Sequence, residues 1–118
     1  MTKTFETPHL PPTANQQWRS MTFGNRVLTY LTTDAKEWRE AFQVEFKDWM
    51  RKNKVMPFTH QPIALRLVIT VRRDRDIDGS IKPVLDALQG VLYANDRQVT
   101  HLDVYKEKGE PRLYINII

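Results

Sequence analysis

The stretch VRRDRDIDGSIK, residues 71–82, sets Asp76 and Asp78 two positions apart and Lys82 four positions after the second. Arg72, Arg73 and Arg75 stand just before them, and Asp96 follows in the stretch LYANDRQ. Carboxylates are hard oxygen donors, and magnesium commonly takes one or two of them together with water and a substrate phosphate. Such an ion lowers the pKa of an attacking water at a phosphodiester. A nearby lysine balances the charge that builds on the phosphate oxygens. Residues two apart in an extended segment point to one side, so both acids can face one point. If Asp78 opens a helix, Lys82 lies one turn on along the same face and Asp86 one turn further. Asp96 joins them if the strands on either side are neighbours. The competing reading is plain: acids in front of a helix often do no more than cap it and meet solvent.

Other chemistries have less to stand on. The chain has no cysteine, which excludes disulfides and zinc–thiolate centres. Its serines are Ser20 and Ser80, and His9, His60 and His101 are scattered singly, so a serine triad has no support. Gly24, Gly79, Gly90 and Gly109 form neither a phosphate loop nor a dinucleotide fingerprint. The 118 residues fit one domain, 1–118, with a core of its own. A net charge of +4 and a pI of about 9.5 favour a polyanionic partner. No apolar run approaches a membrane span and no signal peptide opens the chain, so a soluble, cytoplasmic protein with no membrane partner is expected.

The acids need elements to position them. TKTFET suggests a short first strand, and PHLPPTANQQWR, rich in proline, an irregular stretch that leaves Trp18 in a loop. RVLTYL suggests a second short strand or an extended lead-in. TTDAKEWREAFQVEFKDWMRKNK carries Ala35, Trp38, Phe42, Phe46 and Trp49 at helical spacing, with Thr33 or Asp34 as its cap. PIALRLVITVRR alternates strictly, the pattern of a half-buried strand that feeds the acidic cluster. DGSIKPVLDALQG predicts a second helix, with Ile81, Val84, Leu85 and Leu88 inward, Pro83 in the first turn and Gly90 as the stop. VTHLDVYKE and RLYINII predict two closing strands. The expectation is an α+β fold: one small domain in β-α-β-α-β-β order, with a mixed sheet and two main helices.

DIDGSIKPVLDALQGVLYANDRQV resembles the signature of the RusA family of Holliday junction resolvases: D-x-D-N-x-x-K, an apolar helix with D-A-L, then a D-D-x-Q-like turn. LPPTANQQWR is similar to the family's N-terminal P-P-S-x-N segment, and TTDAKEWRE to the start of its first helix. The resemblance implies a small homodimeric endonuclease that resolves four-way DNA junctions by paired nicks, with Mg2+ as cofactor and Mn2+ as a substitute. It also implies that Asp76, Asp78 and Asp96 are the metal-binding catalytic acids and Lys82 the catalytic lysine. Arg75 matches a DNA-contacting arginine of the motif; Arg72 and Arg73, beside it, are expected to join it on the DNA. Asp86 is expected to orient the helix or to support the metal's ligands from behind, not to bind the metal itself. Gly79 stands where the family has asparagine, and Asn95 where it has the first aspartate of the D-D pair. The alternatives are a DNA-binding protein of the same fold that does not cut, and a broader nuclease on flaps and other branched DNA.

Overall fold

Alternation in the central strand does what it promises. The computed structural model, which describes residues 3–12, 18–23, 26–31 and 33–118, buries Ile63, Leu65, Leu67, Ile69 and Val71 on one face of that strand and leaves the residues between them partly open. The chain runs β1 (Lys3–Thr7), β2 (Trp18–Phe23), β3 (Arg26–Leu31), α1 (Thr33–Asn53), β4 (Ile63–Val71) and α2 (Asp78–Leu88). A short 3-10 turn (Asp96–Gln98), β5 (Val99–Lys108) and β6 (Arg112–Ile117) complete it.

Four strands form a mixed sheet in the order β1-β6-β4-β5. β6 is antiparallel to both β1 and β4, whereas β5 runs parallel to β4 along Ala64–Val71. The parallel pair needs a crossover connection, and α2 lies within it. The α+β class, the mixed sheet and the two main helices agree with the sequence reading. Trp18 does not: its backbone belongs to β2, which pairs with β3 as a separate two-stranded sheet. The proline-rich stretch therefore ends earlier than composition suggested; residues 13–17 lie outside the described residues, as does the side chain of Trp18.

α1 buries Ala35, Phe42, Phe46 and Met50, with Trp38 and Trp49 packed against the same core. Phe5 of β1 meets Phe42 edge-on at 5.6 Å and Phe46 at 4.9 Å between ring centres, which docks the helix on the sheet. Thr33 and Asp34 both fall inside the first turn, so neither is the residue before the helix that the capping pattern suggested. Gln43 of α1 donates to the Ala87 carbonyl at 3.0 Å and ties the two helices together.

Candidate active site

β4 ends at Val71, and α2 does not begin until Asp78. The acids therefore do not close the strand, as the sequence suggested; an irregular segment, residues 72–77, stands between. Nor is the segment extended at its end. Ile77 already has helical angles (φ −62°, ψ −42°). Residues two apart across a helical position do not face one another, so the alternation that would have aimed Asp76 and Asp78 together is absent.

Ile77 is the residue before α2, and no side chain makes a capping hydrogen bond there. The acids are thus not spent on capping. Asp76 and Asp78 are exposed, and neither carboxylate makes a hydrogen bond or ion pair with any described residue. Lys82, one turn beyond Asp78, is exposed and equally unpaired, as is Arg73. By contrast Asp48, Asp74 and Asp103 are each held in ion pairs that keep their carboxyls below the usual range; for Asp74 the hydrogen bond from Lys106 is the main cause.

The three arginines part company. Arg72 is exposed and paired with Glu110 across the β5–β6 turn. Arg75 is half-buried: its Nη1 donates to the Pro11 carbonyl at 2.8 Å and to Ser80 Oγ at 3.3 Å. Burial lowers the pKa of its guanidinium. Ser80, which looked like an ordinary first-turn serine, is fully buried (0 % exposed) and receives this arginine. Pro83 is also buried and lies beyond the first turn, inside the helix, where it denies the Gly79 carbonyl its intrahelical partner. The buried stripe of α2 runs through Ser80, Pro83, Val84, Ala87 and Leu88; Ile81 and Leu85 only flank it.

Asp96 lies elsewhere. Its backbone N–H donates to Gln89 Oε1 at 3.1 Å, just past the far end of α2 from Asp78. Along the helix axis those ends are about 16 Å apart, at 1.5 Å per residue. Asp96 and Asp86 both act on Tyr93: burial first, then these two carboxylates, pushes the tyrosine's pKa well above its ordinary value. The expectation that Asp96 meets Asp76 and Asp78 within one chain is therefore not met. Among the described residues no group of three acidic or histidine side chains is close enough to hold a metal ion. Asn95 caps the turn that carries Asp96. Its side chain accepts from the Arg97 N–H at 2.9 Å, and Gln98 Oε1 accepts from the Asn95 N–H at 2.9 Å, a reciprocal cap that shapes the Asp96 turn.

Lys106, Gln89, Tyr93 and Gln98 organise these surroundings; the sequence reading held Gln98 only as the last residue of the D-D-x-Q-like turn and passed over the other three. Of those three, Lys106 left a trace, as a lysine that follows Leu102 and Val104 at every second position of β5. The donor chemistry of the Asp76–Asp78 pair fits a hard divalent ion that completes its shell with water and phosphate. Among the described residues no helix is long and apolar enough to cross a membrane.

No curated protein matches the chain. A family model does: that of endodeoxyribonuclease RusA matches residues 8–118, which takes in both helices, the segment between β4 and α2, and the Asp96 turn. With the acidic segment, its basic flank and the α+β frame all inside that match, the chain belongs to the RusA family of endodeoxyribonucleases.

Proposed function

We propose that the protein is a magnesium-dependent resolvase of four-way DNA junctions that cuts by paired nicks, acting as a homodimer, with Asp76, Asp78, Asp96 and Lys82 as its catalytic residues. One observation carries the reading: the acids in front of α2 do not cap it and have no partner among the described residues, so their negative charge is left open to solvent beside Lys82 and Arg73.

Asp76 and Asp78 would hold the ion together with water and phosphate. When bound, magnesium supplies Lewis-acid activation of water and of the scissile phosphate; manganese serves in its place. Lys82, on the face of α2 shared with Asp78, balances charge on the phosphate oxygens. Arg72 and Arg73 hold flanking phosphates from the exposed segment, and Arg75, engaged by Pro11 and Ser80, contributes less. A four-way junction offers two strands to cut symmetrically, and a two-fold protein matches it. The distance of Asp96 from its own Asp78 leaves it free to serve the acid pair of a second copy.

The test is nicking of four-way, flapped and linear DNA by the purified protein, in magnesium and in chelator, with sedimentation of the protein alone and on junction DNA. Symmetric paired nicks in the junction, dependent on the metal and made by a dimer, are expected. Equal cutting of flaps replaces the resolvase reading with a broader nuclease. Junction binding without any cutting replaces it with a non-catalytic DNA-binding protein.

A further inference from the structure

β5 is an edge strand whose core-facing positions run Leu102, Val104, Lys106. The first two pack against the core. Lys106 stands opposite buried Ile69 and continues the same side, but its stem carries the ammonium over the end of the sheet. There Nζ donates to Asp74 Oδ1 at 2.5 Å and to the Arg75 carbonyl at 2.9 Å. Arg75 in turn grips the Pro11 carbonyl and the buried Ser80 in the first turn of α2. Among the described residues, no turn or loop backbone bond runs to residues 72–76. Side chains therefore fix the path of the segment that carries Asp76, with Lys106 on one side and Arg75 on the other.

We propose that Lys106 is a positioning residue for the acid pair, acting by its hold on Asp74 and the Arg75 carbonyl and not by contact with DNA. What the acid pair does rests on the function proposed above; the clamp itself does not. The rival role for Lys106 is a phosphate contact in the groove of about 380 Å³ at the ends of β4 and β5. Its ammonium already faces two oxygens, and Asp74 and Glu107 line that groove beside it. The ion pair with Asp74 is too exposed to add much to global stability, so the clamp acts locally.

The experiment compares the full chain with Lys106→Met, Lys106→Arg and Asp74→Ala. Three quantities are read: nicking rate against magnesium concentration, binding of Mn2+ to the protein alone by calorimetry, and junction affinity in chelator. Loss of a group that orients metal ligands weakens the metal by about tenfold or more. Lys106→Met should raise the magnesium needed for half-maximal nicking by about that factor and lower Mn2+ affinity in step. At saturating magnesium the rate should return to within about threefold of the parent, since the reacting groups are intact. Lys106→Arg should recover most of the loss, because a guanidinium can reach the same two oxygens. Asp74→Ala, at an exposed position that threatens folding little, should give a smaller shift in the same direction. Combined with Lys106→Met it should add less than the sum. A fall in chelator affinity with the salt slope reduced by roughly one would make Lys106 a phosphate contact and overturn the proposal. Unchanged Mn2+ affinity in both Lys106→Met and Asp74→Ala overturns it equally. If the parent chain cuts nothing, the nuclease reading falls, and the Mn2+ titrations still decide the clamp.

Discussion

The two ends of α2 are built on opposite plans. At its C-terminal end nearly every polar valence is used. Gly90 takes the left-handed conformation (φ +84°), and its N–H donates to the Tyr93 carbonyl at 2.7 Å. The Tyr93 hydroxyl donates at 2.6 Å to the Leu85 carbonyl, which also accepts the Gln89 N–H at 3.2 Å. Gln98 receives the Ala94 and Asn95 N–H groups and donates to the Phe58 and Gln61 carbonyls at 3.0 Å each. At the N-terminal end no side chain caps the helix, and Asp76, Asp78 and Lys82 stand exposed without partners among the described residues. One end spends its polar groups on the protein; the other leaves them open to solvent. Asp96 belongs by position to the first and by chemistry to the second: its backbone is fixed by Gln89 while its carboxylate is exposed.

The sharpest way to break this contrast is to neutralise the acids. Asp76→Asn, Asp78→Asn and Asp96→Asn should each lower magnesium-dependent nicking by about two orders of magnitude or more, because activated water and phosphate clamp are lost together. None of them should move unfolding free energy by more than about 0.5 kcal/mol, the usual range for surface changes. Junction affinity in chelator should hold or rise for these variants, and fall slightly for Lys82→Ala, which also loses nicking. Gel shift in chelator and nicking in magnesium give the pair of readings; three variants that cut at parental rates would return DIDGSIK to a solvated turn.

The opposite end should respond in stability. Gln98→Ala leaves the Asn95 N–H and the Gln61 carbonyl without their partner, while the Ala94 N–H keeps the Phe58 carbonyl at 3.2 Å, and should cost about 1 kcal/mol in denaturant unfolding; a neutral result would mean water replaces the glutamine at no loss. Tyr93→Phe should cost about 1 kcal/mol near neutrality. It should also change the alkaline limb. The folded chain holds the Tyr93 proton above the ordinary tyrosine value, while the unfolded chain releases it near about pH 10, so stability falls as pH rises past that point. The phenylalanine variant has no proton to release there and should lose less between about pH 9 and about pH 11. The smallest effect belongs to Gly79→Asn. Gly79 sits in the first helical turn and is not among the glycines with positive φ, so asparagine should be tolerated and should change stability by no more than a few tenths of a kcal/mol. Loss of folding there would show that the turn needs a bare backbone.

What could be read in the sequence follows from how local each cause is. Period-two burial in β4, the aromatic stripe of α1 and the glycine stop of α2 depend on neighbours a few residues away, and each is found where the pattern puts it. The direction of Asp76 and Asp78 depends on where the chain first turns helical, and Ile77 turns one residue before the helix, which no local pattern announces. β2 was hidden because a two-stranded ribbon needs little apolar alternation of its own. The place of Asp96 depends on how α2 lies between two parallel strands, and spacing along the chain says nothing of a distance set by a helix laid across it. The buried Ser80 and the half-buried Arg75 were missed for the same reason: each looks like a surface residue until Pro11 is folded over the pair.

The position of β6 carries a consequence for the birth of the molecule. It leaves the ribosome after β1, β4 and β5, yet it sits inside the sheet, joining β1 to β4. Until it is made, β1 has no neighbour in the sheet and β4 lacks its antiparallel one. Leu113 and Ile115, both fully buried, are missing from the core. The nascent chain thus carries its acidic segment exposed on a half-built support, and the support closes only when β6 is in place. A chain interrupted before Arg112 cannot complete the sheet that carries its acidic segment.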